Sequence, residues 1–125
     1  MEDKIRVLVV DDSALVRETV KAILMSDPDI EVVGVAKDGK EGVEKALKLK
    51  PHVITMDLKM PMMDGLEAIE SIMEEMPTPI IVVSGMDIKV IVTALGIGAM
   101  DFVASGLATG LNWRYRCPLK KSKIK

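Results

Sequence analysis

Short β-branched apolar runs alternate with amphipathic segments along most of the chain, and this alternation restricts the fold more than any other feature. Ile5–Val10 is a nearly continuous apolar run, the pattern of a strand covered on both faces. Leu15, Thr19, Ala22 and Ile23 follow at helical spacing, which predicts a helix stopped by Asp27-Pro28 with those side chains turned inward. Residues 30–35 read as a second strand, and Val53 to Asp57 as a third that finishes on a carboxylate. Ile80 to Val83 makes a fourth strand, broken by Ser84-Gly85, and Met100 to Ala104 a fifth.

The helices between them carry their own punctuation. Asp38-Gly39-Lys40-Glu41 is a capping-box pattern, followed by Val43, Ala46 and Leu47 as the expected buried stripe and by Lys50-Pro51 as the stop. Asp64-Gly65-Leu66-Glu67 repeats it, with Leu66, Ile69, Met73 and Met76 on one face and Pro77 at the end. Ile88, Ile91, Val92 and Leu95 predict a fourth helix, ended by Gly96 and Gly98. Parallel strands need crossover connections, and these are right-handed. Five strands alternating with four helices therefore predict an α/β, flavodoxin-like, doubly wound five-stranded parallel sheet with helices on both faces. In such sheets ligands bind outside the carboxyl ends of the strands, near the point where strand order reverses.

Composition sets outer limits. At 125 residues the chain has room for one domain. A single cysteine, Cys117, excludes an intrachain disulfide framework and suits a reducing compartment. No uncharged run, Val90–Met100 included, approaches the ~20 residues of a membrane span. Met1 to Lys4 shows no signal-peptide pattern, so the expected location is cytoplasmic. The formal charge of −2 divides unevenly: residues 1–105 hold all 19 acids and 11 Lys and Arg, for −8, and the last 20 residues hold six Lys and Arg, for +6.

The chemistry gathers at the predicted strand ends. Asp11 and Asp12 close the first strand, Asp57 the third and Ser84 the fourth, so three carboxylates and a hydroxyl converge on one rim. Unit charges ~4 Å apart repel by roughly 4 kcal/mol at an effective dielectric of 20, and such a cluster calls for a cation or protons. Hard oxygen donors suit Mg²⁺, which keeps several waters and accepts phosphate oxygens. Asp11-Asp12 alone also fits a capping turn, but Asp at two strand ends with Ser at a third does not. His52 sits at the wrong end of its strand, ~17 Å from Asp57 at ~3.3 Å per residue, and cannot complete a hydrolase triad there. Met60, Met62 and Met63 read as packing residues.

Val9-Val10-Asp11-Asp12-Ser13, Asp57, Met60-Pro61-Met62-Met63-Asp64-Gly65, Val82-Val83-Ser84 and Gly98-Ala99-Met100-Asp101-Phe102-Val103 together resemble the receiver domain of two-component response regulators over residues 5–104. The run from Asp11 to Arg17, the run from Ser26 to Gly34 and Pro77-Thr78-Pro79 are most similar to the chemotaxis CheB type. The resemblance implies that Asp57 takes a phosphoryl group from a histidine kinase of the CheA type. It further implies Mg²⁺ held by Asp12, Asp57 and the Lys59 carbonyl, with Asp11 acting mainly through water. Ser84 would contact the phosphoryl oxygens and move with Phe102, the aromatic partner of the family's switch.

Two departures qualify the resemblance. Receivers place a Lys-Pro pair after the fifth strand, whereas Ala104 is followed here by Ser105-Gly106, which motivates an alternative in which a pseudo-receiver binds proteins without phosphorylation. A third class, an Asp-nucleophile phosphatase, needs a second Asp two residues after its nucleophile, and position 59 is Lys. The expected domain boundary falls at 105/106, followed by an atypical basic tail in which Gly110, Asn112 and Pro118 interrupt the expected fifth helix. The loss of that helix predicts a homo-oligomer through the exposed fourth-helix region. Trp113, Arg114, Tyr115 and Arg116 are types used for nucleic-acid contact, but a solvated or altered terminus is the preferred reading. The methylesterase domain that follows CheB-type receivers has no counterpart within these 125 residues, so that hydrolysis is not expected of this chain.

Overall fold

A computed structural model describes residues 4–58, 60, 63–83 and, for the backbone alone, 101–103. The elements run β1 (Ile5–Val10), α1 (Ala14–Met25), β2 (Ile30–Ala36), α2 (Gly39–Leu49), β3 (Val53–Met56), α3 (Gly65–Glu75), β4 (Ile80–Val83) and β5 (Asp101–Val103). The sheet is wholly parallel, in the order β2-β1-β3-β4-β5. The predicted fourth helix, the 105/106 boundary, the tail with its expected lack of a fifth helix and the oligomer surface lie outside the described residues.

Alternation along the strands sorts the core into two layers. Leu8, Val10, Ile54, Met56, Ile80 and Val82 face α2 and α3, whereas Ile5, Val7, Val9, Val53, Ile81 and Val83 face α1. Helices therefore cover both faces, which explains why β1, β3 and β4 are almost unbroken apolar runs. At the outer edge, β2 slips by one residue against β1: Val7 pairs with Val32 and Leu8 with Gly34, leaving Val33 as a bulge.

The stripe expected on α1 is corrected by the structure. Leu15 is 77% exposed, and Thr19 and Ala22 are also exposed. Val20 and Leu24 are buried instead, with Val16 and Ile23 packed beside them. The run from Ala14 to Met25 holds apolar residues on nearly every side, so periodicity alone permits more than one inward face, and only the docking of α1 on the sheet selects among them. Leu47 is likewise exposed at 38%, and Gly42, Ala46 and Leu49 make the inner side of α2. Both capping patterns form as expected: Asp38 Oδ1 accepts from the Glu41 amide at 2.8 Å and Asp64 Oδ1 from the Glu67 amide at 2.9 Å. The Glu41 carboxylate reaches one residue beyond the cap, accepting from the Lys37 amide at 2.8 Å. Lys50 ends α2 in the left-handed region, with φ 50°.

Candidate functional site

The strand order reverses between β2-β1 and β3-β4-β5, so the carboxyl ends of β1 and β3 form the switch-point crevice. Ladder bonds carry both chains one residue past their strands. The Asp11 amide donates to the Ala36 carbonyl at 3.0 Å, and the Asp57 amide donates to the Val10 carbonyl at 2.9 Å. These bonds hold the first residue after each strand in register with its neighbour. Asp11, Asp12 and Asp57 consequently meet, with one carboxylate oxygen from each lying within 4.8 Å of the others. Asp11 is buried, Asp57 half-buried and Asp12 exposed, so the cluster opens outward past Asp12.

Burial pushes the Asp11 carboxyl up to about 6, and the charges of Asp57 and Asp12 push in the same direction. The Ser13 amide, donating to Asp11 Oδ1 at 2.9 Å, and the nearby Arg17 guanidinium oppose that rise without cancelling it. Ser13 also caps α1, its hydroxyl accepting from the Val16 amide at 3.3 Å. The positive end of α1 thus lies beside the carboxylates.

Arg17 carries no site role in the sequence reading, yet its Nη1 donates to the Asp11 carbonyl at 2.8 Å. The available signal is its position one helical turn beyond the Ser13 cap, which returns its side chain toward the strand end.

Between Asp57 and α3, the described residues are pinned at several points. Leu58 is 2% exposed and Met60 is 8% exposed; both join the core beneath α2 and α3, and Met63 packs against it. The Gly65 amide donates to the Leu58 carbonyl at 2.9 Å. The expectation that the methionines pack therefore holds for Met60 and Met63, while Met62 lies outside the described residues. Ser84 and Lys59 also lie outside them. Phe102 is described by its backbone, which pairs with Val82 in the β4-β5 ladder. His52 sits at the opposite end of the sheet, where its Nδ1 accepts from the Arg6 amide at 2.9 Å and its own amide donates to the Arg6 carbonyl at 2.8 Å. It closes the β1-β3 ladder there.

The donor set suits Mg²⁺ as the sequence suggested. Among the described residues the cluster consists of three carboxylates and no softer ligand, and hard oxygen donors of this kind suit a small divalent cation. Among the described residues, no helix is long and apolar enough to cross a membrane.

The sequence model of the response regulator receiver domain matches residues 7–107. A protein-glutamate methylesterase/protein-glutamine glutaminase of Carboxydothermus hydrogenoformans is 59% identical over 104 residues, covering 81% of this chain and 29% of that protein. Its counterpart in Thermotoga maritima is 47% identical over 125 residues, covering 97% of this chain and 36% of that one. The chain thus spans about a third of the length of these relatives. Among solved structures, the response regulator domain of Thermotoga maritima CheB superposes with a TM-score of 0.81 at 47% identity, covering 97% of this chain and 93% of that one. The CheX-CheY-BeF3-Mg complex from Borrelia burgdorferi gives a TM-score of 0.87 at 26% identity, covering 98% of this chain and 92% of that one.

Proposed function

Since the chain belongs to the response regulator receiver family, and within it to the kind found in CheB-type chemotaxis proteins, we propose that Asp57 is its phosphoacceptor and that a histidine kinase of the CheA type is the donor. The single observation that carries this reading is the meeting of Asp11, Asp12 and Asp57 at the switch point of the sheet.

In this reading a carboxylate oxygen of Asp57 attacks the phosphorus of a phosphohistidine. The P–N bond breaks, the imidazole nitrogen leaves with the electron pair, and an acyl phosphate remains on Asp57. Asp12 and Asp57 would hold Mg²⁺, with Asp11 acting mainly through water and the Lys59 carbonyl completing the protein's share. Held there, the ion would supply positive charge to offset the negative charge of the phosphoryl group. Asp57 is half-buried, which leaves its carboxylate accessible to a macromolecular donor while the ladder bond to Val10 holds its backbone. Ser84 and Phe102 would report the new charge by contact with the phosphoryl oxygens and by rearrangement. The CheX-CheY complex from Borrelia burgdorferi contains BeF3 and magnesium, which supports the same ion for this chain.

The sequence after β5 favours one competing reading. With Ser105-Gly106 in place of Lys-Pro, the domain would bind partners without being phosphorylated. Intact-mass analysis after incubation with Mg²⁺ and acetyl phosphate separates the two. A labile phosphate adduct on the parent and none on Asp57→Asn supports the acceptor; no adduct on the parent favours the binding module. An adduct surviving Asp57→Asn places the acceptor elsewhere.

A further inference from the structure

Both capping patterns put glycine at the first helical position, and capping chemistry does not ask for it there: the cap is supplied by the preceding Asp, and glycine is the weaker helix former. Neither Gly39 nor Gly65 adopts a positive φ, so backbone freedom does not account for it. The surroundings do. A Cβ on Gly65 would overlap the Asp57 carbonyl oxygen and lie 2.5 Å from the Leu58 Cα. A Cβ on Gly39 would overlap the Met63 carbonyl oxygen and lie 2.7 Å from the Met63 carbonyl carbon and 3.0 Å from its Cβ. In both places the obstacle is mainly backbone, which has no rotamer with which to move aside.

We propose that Gly39 is a positioning residue for the acidic site: its bare Cα lets the start of α2 press on Met63 and hold the Asp57–Asp64 connection against α3. Gly65 clamps the near end of that connection and Gly39 the far end, although Gly39 lies on a helix that contributes no carboxylate to the cluster. Leu58 and Met60, between Asp57 and Met63, are already buried in the core under α2 and α3 and cannot yield toward the sheet. A side chain at position 39 therefore displaces either the first turn of α2 or the Met63 backbone, and the shift is transmitted along a short segment whose other end is Asp57. The inference rests on the phosphoacceptor reading for its purpose, but the clamp itself is a matter of geometry.

The test compares Gly39→Ala with Glu44→Gly, which weakens the same helix at an exposed position outside the core that holds Leu58 and Met60. In metal-free protein, Gly39→Ala is expected to move the backbone amide resonances of Leu58 and Gly65, whereas Glu44→Gly leaves them in place. Titrated with Mg²⁺ alone, Gly39→Ala is expected to bind about tenfold more weakly or worse, as ångström-scale misplacement in a preorganised site commonly does. Glu44→Gly should bind like the parent despite its lower unfolding midpoint. Unmoved Leu58 and Gly65 resonances in Gly39→Ala, or equal weakening in both variants, overturns the proposal. The parent supplies an arm that needs no variant. During a Mg²⁺ titration the Gly39 amide should shift while that of Lys48, at the far end of α2, stays still, and a stationary Gly39 counts against the clamp. A parent that binds no Mg²⁺ would refute the metal-site reading, and the metal-free resonances would still decide the clamp.

Discussion

Replacing Asp57 by Asn should make the metal-free fold more stable, although the side chain lies at the centre of the proposed chemistry. The substitution keeps shape and removes one of three charges whose oxygens approach within 4.8 Å. At that separation and an effective dielectric of 20, each pair repels by about 3.5 kcal/mol. Asp12 is exposed and Asp57 half-buried, so water and about 0.1 M salt reduce the interaction several-fold, leaving a net gain of about 1–2 kcal/mol. With a urea m-value of about 2 kcal/mol per M, the unfolding midpoint should rise by about 0.5–1 M at unchanged slope. The assay is urea unfolding near neutral pH, followed by circular dichroism, in EDTA and again in excess Mg²⁺. The cation stabilises the parent in proportion to its binding and the variant less, so the gain should shrink or reverse with metal. An Asp57→Asn midpoint at or below the parent's in EDTA would refute the reasoning, because the cluster would then not be a site of stored repulsion.

Other expectations follow from the same geometry. Asp11 titrates at about 6 in the fold, above its ordinary 3.8, so the native state binds the proton more tightly; its contribution to metal-free stability is full below pH ~4 and lost as pH rises through about 6. Mg²⁺ competes with that proton, and its affinity should fall as pH drops below about 6; a flat affinity between about pH 5 and 7 by calorimetric titration would contradict this. On α1, Leu24→Ala should cost about 2–5 kcal/mol in urea unfolding and Leu15→Ala less than about 0.5, with equal losses indicating that the helix is docked on another face. Asp38→Ala removes the 2.8 Å cap on the Glu41 amide and should cost about 1 kcal/mol, whereas no loss would mean that the first turn of α2 is held by its packing alone.

The strands and the carboxylate rim were legible because they rest on local rules. Ile5–Val10 and Ile80–Val83 occupy the ranges their apolar runs announced, and Asp38 and Asp64 cap where their spacing to Glu41 and Glu67 placed them. Asp57 stands one residue beyond β3, since the ladder to Val10 continues past the last strand residue. The inner face of α1 was misjudged for a definite reason. Leu15, Thr19 and Ala22 satisfy helical spacing as well as Val16, Val20 and Leu24 do, and sequence spacing does not say which side meets the sheet. Arg17 and Gly39 were missed as parts of the site's frame because their partners are backbone atoms, the Asp11 carbonyl and the Met63 carbonyl, and backbone atoms leave no trace in residue identity.

The sequence by itself determined the alternating strands and helices, the helix caps and the identity of the residues at the strand ends, because periodicity, capping and chain stops act over a few neighbouring residues. Only the tertiary structure decided that Asp11, Asp12 and Asp57 come within 4.8 Å of one another, that burial raises Asp11, and that α2 leans on the connection leading from Asp57 to α3. Those outcomes depend on the order β2-β1-β3-β4-β5 and on close packing between segments distant along the chain. Distance, desolvation and overlap are properties of pairs of atoms in space, and the linear pattern carries them only through the fold it specifies.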